Sequence, residues 1–129
     1  MNIEDKIQTV LDAALYDDGV YSYWNRKTET AGQDPDEYIV YTFGGDDNEV
    51  FADDKPLVTT ESVTVRYYFR DTLIDTYSGR KKVNSTKDKI LKGLQDNGFS
   101  VPHGCFDAGD IDNIGFGTKI FECEYWRVV

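Results

Sequence analysis

The sequence predicts an α+β domain. Two amphipathic helices pack on one face of a mostly antiparallel four-stranded sheet, in the order helix, strand, strand, strand, helix, strand. Three observations carry that expectation. Residues 59–71 (TTESVTVRYYFRD) set Val63, Val65, Tyr67 and Phe69 on one side of an extended chain and Ser62, Thr64, Arg66, Tyr68 and Arg70 on the other. That is the period of two of a strand with one packed and one polar face. Residues 3–15 and 85–97 each repeat apolar positions at helical spacing, and a helix with one apolar stripe needs a surface to bury it. Residues 37–43 (EYIVYTF) are apolar on both faces, which suits a central strand.

The elements follow in order. In the first helix Ile3, Ile7, Val10, Leu11, Ala14 and Leu15 form the stripe, Asn2 caps the start, and Glu4 and Asp5 sit in the first turn, where the helix dipole favours acids. Asp17, Asp18 and Gly19 stop it. Residues 20–25 (VYSYWN) read as a short strand with Tyr21 and Tyr23 on one side and Val20 and Trp24 on the other. Residues 26–36 are polar, with Gly and Pro, and read as a loop. After the strand at 37–43 the pattern breaks at 44–48 and again at 53–56. Val50 and Phe51, between the breaks, extend a strand or form a small tongue. The strand at 59–71 comes next, then a turn through Ser78 and Gly79. The second helix starts at Ser85, which with Asp88 resembles a capping box, and ends at Asn97 and Gly98. Residues 100–113 read as a long loop, and 115–129 as the last strand, with Phe121, Cys123 and Tyr125 on one face.

At 129 residues the chain fits one domain, 1–129, around one core. No apolar run approaches the roughly 20 residues of a membrane helix. The opening MNIEDK lacks the basic-then-apolar order of a signal peptide, so a cytosolic product is expected. Cys105 and Cys123 are expected as free thiols. With His103 they make three ligands where structural zinc takes four. The acidic segment at 44–56 lacks the ligand spacing of a calcium loop. His103 and Cys105 lie in a loop with nothing to activate a thiolate, and no Gly-rich phosphate cradle opens a helix. The expectation is no metal, no cofactor and no catalysis.

Charge is unevenly spread. Residues 1–65 hold 15 acids and 4 bases, net −11, while residues 66–129 hold 9 acids and 10 bases, net +1. The total of −10 disfavours general nucleic-acid binding, although aromatics interleaved with Arg66 and Arg70 have the look of a base-stacking strand. An acidic end meeting a base-richer end is a basis for association between copies.

The assembled pattern resembles the tail-completion, or tail-terminator, proteins of long-tailed bacteriophages, also called head-to-tail joining proteins. The residues carrying the resemblance are PDEYIVYTF (35–43), VFADDKPLVTTESVTVRYYFRD (50–71), LKGLQDNGF (91–99) and the closing GTKIFECEYWRV. The resemblance implies a structural virion protein without catalysis. It forms a ring, usually a hexamer, on the head-proximal end of the tail tube, ends tube polymerisation and presents a docking face to the neck or connector proteins of the head. Its partners are copies of itself, the tail tube protein and those neck proteins. DNA only passes through the lumen, no membrane is involved, and the location is the virion, with the host cytoplasm during assembly. The alternatives are another phage neck or head-completion protein and an unrelated small α+β binding domain. Candidate assembly residues are the acids Asp46, Asp47, Asp53 and Asp54 with Val50 and Phe51, the bases Arg66, Arg70, Arg80, Lys81 and Lys82, and the aromatics Trp24 and Trp126. Aromatic anchors inside a charged rim are the expected arrangement.

Overall fold

The computed structural model describes residues 2–27, 35–52, 55–111 and 114–128, with backbone alone at 45–52, 55–59 and 127–128. It is α+β, with α1 (Ile3–Leu15), β1 (Tyr21–Trp24), β2 (Glu37–Ala52), β3 (Lys55–Arg70), α2 (Tyr77–Asp96), β4 (Phe99–Ser100), β5 (Cys105–Gly109) and β6 (Phe116–Val128). The sheet has six strands, not four, in the order β1-β2-β3-β6-β4, with β5 also on the free edge of β6. β1 runs parallel to β2, and every other pair is antiparallel. The two extra strands lie in the stretch read as a loop. They are two and five residues long, too short for a periodic signal, and they hold their place by pairing with β6.

One core fills the space between the sheet and both helices. Ile7, Leu11 and Leu15 of α1 and Ile90 and Leu94 of α2 meet Ile39, Val65, Tyr67 and Phe121 of the sheet, all essentially inaccessible. Fully burying an apolar side chain of this size is worth about 1.5–3 kcal/mol. The opposite sheet face is apolar at β2, as expected of a central strand, and at Tyr68 also on β3, where the alternation predicts a polar face. Tyr38, Val40 and Tyr68 are buried there in a second cluster with Tyr23 and Phe116, and the Tyr38 and Tyr68 rings stack at 4.9 Å.

The first helix follows its sequence signals. Asn2 Oδ1 accepts from the Asp5 backbone N–H at 2.8 Å, and Gly19 closes the 3-10 turn Tyr16–Asp18 at φ +77°. The second helix does not begin at Ser85. It begins eight residues earlier, with Thr76 as N-cap accepting from Gly79 N–H at 3.1 Å. Gly79, read as a turn residue, is there for close approach instead. A Cβ at that position would lie 1.8 Å from the Leu73 carbonyl oxygen, because the 3-10 turn Asp71–Asp75 packs against the first turn of α2.

The break expected at 44–48 is also corrected, while of the one at 53–56 Asp53 and Asp54 lie outside the described residues and Lys55 and Pro56 open β3. β2 runs on to Ala52 and β3 starts at Lys55, paired through three register shifts between Phe43 and Phe51. Bulges let a strand carry an extra residue and twist without leaving its ladder, so Gly44 and Gly45 do not end it. β1 pairs with β2 only as far as Tyr41, and β6 accompanies β3 only from Val58 onward. The distal part of the β2–β3 hairpin is therefore a two-stranded arm. No helix among the described residues is long and apolar enough to cross a membrane.

Candidate assembly surfaces

The candidate residues fall in several separate places. Asp46, Asp47 and Val50 lie on the distal half of β2, opposite residues of β3 that still pair with β6, and Phe51 lies on the two-stranded tip beyond them; Asp53 and Asp54 lie outside the described residues. Trp24 ends β1, about half exposed and edge-on to Phe43 at 5.9 Å. Trp126, also half exposed, sits on β6 opposite Thr60. Arg66 and Arg70 are on the outer face of β3, and Arg80, Lys81 and Lys82 fan around the second turn of α2.

Two of these cations are committed within the chain. Arg70 Nε donates to Asp36 Oδ1 at 2.7 Å, with its guanidinium 4.9 Å from the Phe116 ring centre. Lys82 Nζ is 3.5 Å from Glu37 Oε2. Arg66 has its Nε buried without a hydrogen-bond partner among the described residues. Arg80 and Lys81 are exposed, and neither has an ion pair among the described residues. Lys81 Nζ lies 4.7 Å from the Tyr77 ring centre.

Glu37 is a carboxylate inside an apolar context. It is 4 % exposed, and Tyr67 Oη donates to its Oε1 at 2.6 Å. Burial, then the hydrogen bond to Glu37, pushes the Tyr67 phenol above its ordinary range, while a hydrogen bond with Thr86 works the other way. The carboxylate thus has a neutral donor on one oxygen and a cation on the other, the condition for burying a charge. Glu37 looks like any strand-opening acid in the sequence. Only the register, which puts it opposite Phe69 and beside Tyr67's face, reveals the pair.

Burial holds both thiols in their protonated form. Cys123 is 2 % exposed, and burial, helped by Glu122, pushes its thiol up to about 12. Cys105 is half-buried and raised by burial, with Lys119 opposing. Thiols so shifted stay protonated near neutral pH. Among the described residues no three His, Cys, Asp or Glu side chains converge on a metal position.

A cleft missed by sequence reasoning opens where the Asp71–Asp75 turn and α2 pass over β3, β5 and β6. It encloses about 430 Å³, and its lining includes Phe69, Ile74 and Val83 with Arg80, Asn84 and Lys119. Its residues come from four separate segments, so no local pattern announced it.

The chain matches no protein-family model, and no curated protein matches its sequence.

Proposed function

We propose that this chain is a structural ring protein of a phage tail, capping the head-proximal end of the tail tube, ending its polymerisation and joining tail to head. One observation supports the reading above the others. Two of the four segments that carry the resemblance, 35–43 and 50–71, lie on one hairpin, and its tip stands as a two-stranded arm beyond the rest of the sheet. An arm without a third strand exposes unpaired backbone groups and invites a neighbour. A ring whose subunits each extend an arm to the next is a heterologous assembly that closes. Half-exposed Trp24 and Trp126 are further anchors of the type that carries interface energy. Acids facing the lumen would repel DNA and let it slide.

The test is electron microscopy of tail tubes polymerised with and without the purified protein. Tubes should end at a uniform length, with a ring on one end, only when the protein is present. Tubes indistinguishable in length and end structure between the two conditions would sink the reading.

A further inference from the structure

Building on the ring reading, we propose that the arm of one copy docks in the Phe69–Ile74–Val83 cleft of the next copy and continues along the basic side of its α2. Val50 and Phe51, where the arm leaves the sheet, supply what the cleft takes, and the acids on either side of them in the chain supply the counter-charge.

Geometry makes the contact intermolecular. Arm and cleft lie at opposite ends of β3. Phe51 pairs with Pro56 near the tip, and Phe69 forms cleft wall. The thirteen residue steps from Pro56 to Phe69 span roughly 43 Å at about 3.3 Å per residue. An arm therefore reaches a neighbour's cleft and not its own. The patch on one copy differs from the patch on the other, which is the head-to-tail arrangement.

Chemistry matches at both ends. Residues 45–57 carry five acids and one base, Lys55, around Val50 and Phe51. α2 carries six bases and two acids in a chain of net charge −10. Inside the cleft the charges balance, with Arg80 and Lys119 against Asp71 and Asp107, and Lys119 Nζ is already 2.6 Å from Asp107 Oδ1. The surplus lies just beyond. Asn84 lines both the cleft and the adjoining hollow that holds Lys81, Lys89 and Lys92 with one acid, Asp88. Lys89 and Lys92 pair with Asp18 and Asp96, which leaves Arg80 and Lys81 as the cations to meet the arm. Opposite charges at such a rim steer docking and fix its register, while the buried apolar contact holds it.

The test places a photo-crosslinking phenylalanine analogue at position 51 and maps the products by mass spectrometry at protein concentrations up to about 1 mM, the range of weak encounters. Links between copies, falling in residues 69–84, are expected. Arg80→Glu with Lys81→Glu should cut their yield about tenfold, and mixing that variant with an Asp46→Lys, Asp47→Lys copy bearing the crosslinker should restore it. Circular dichroism checks that each variant folds. No link between copies, links elsewhere, or a yield indifferent to charge reversal overturns the docking. So does a basic side that instead binds a labelled DNA duplex, lost in the Arg80→Glu, Lys81→Glu variant while the links persist. Rings on tube ends with links elsewhere remove only the docking. Links as expected without any effect on tubes remove only the ring reading.

Discussion

Val65 and Thr64 are chain neighbours with opposite surroundings. Val65 is fully buried between sheet and helices, and Thr64 is half-buried on the outer face opposite Glu122. Val65→Asp buries a charge without a partner and should cost about 3–5 kcal/mol, enough to unfold a domain of ordinary stability. Thr64→Asp meets a like charge across the strand and should cost about 1 kcal/mol at most. Thermal melts of the two variants check this, and equal damage would refute the face assignment. Tyr67 and Cys123 predict the alkaline limit. Both are acids whose folded state holds the proton past the ordinary values of 10.0 and 9.0. The unfolded chain loses those protons first, so stability is intact below about pH 9 and falls above it, by up to about 1.4 kcal/mol per pH unit for each group. Urea titrations between pH 8 and 11 should show the slope, and Cys123→Ala should flatten it from pH 9 upward. At this scale the sequence was readable where alternation decided burial, as at Val63, Val65 and Phe121. It was silent at Glu37, whose burial depends on a phenol thirty residues away.

Elements long enough to show their period were legible, and short ones were not. α1 and β3 contain two or more repeats of their pattern, whereas β4 and β5 exist only as companions of β6. The start of α2 was misread because Gly79 has two opposite uses. Glycine breaks helices through its backbone freedom, but it also lets two backbones touch. Two glycines of α2 should therefore respond in opposite directions. Gly79→Ala forces a Cβ into the Leu73 carbonyl and should cost at least about 2 kcal/mol. Gly93 faces α1, where a Cβ would stand 3.6 Å from Ala14 Cβ and 3.7 Å from Val10 Cγ1, ordinary contact distances. There the gain in helix propensity dominates, and Gly93→Ala should stabilise by about 0.5–1 kcal/mol. Chemical denaturation of the two variants measures both signs, and a destabilised Gly93→Ala would mean that α1 and α2 pack too tightly for the added methyl group.

Across the whole molecule, charge and shape are polarised along the same direction. The acids of the distal part of β2 lie with the arm at one end of the β2–β3 hairpin, and the cleft with the basic start of α2 lies at the other. The sequence reported the charge split but broke the arm into loops, because Gly44 and Gly45 and the run of acids look like turn chemistry until a bulged ladder accommodates them. The cleft was beyond reach, being a product of how the Asp71–Asp75 turn, α2 and β6 meet. This polarity separates folding from association. β6 accompanies β3 from Val58 onward, so residues 51–57 contribute only two-stranded pairing, and an isolated two-stranded ribbon adds little stability in water. Replacing residues 51–57 by Asn-Gly, which forms a tight type I′ hairpin turn, should leave the melting temperature within about 2 °C of the parent, a change of less than about 0.5 kcal/mol. The same deletion should abolish association between copies and ring formation on tube ends, read by sedimentation velocity and electron microscopy at low and high salt. A shortened protein that still associates would place the contact elsewhere on the molecule. One that loses 10 °C or more would mean that the tip belongs to the fold.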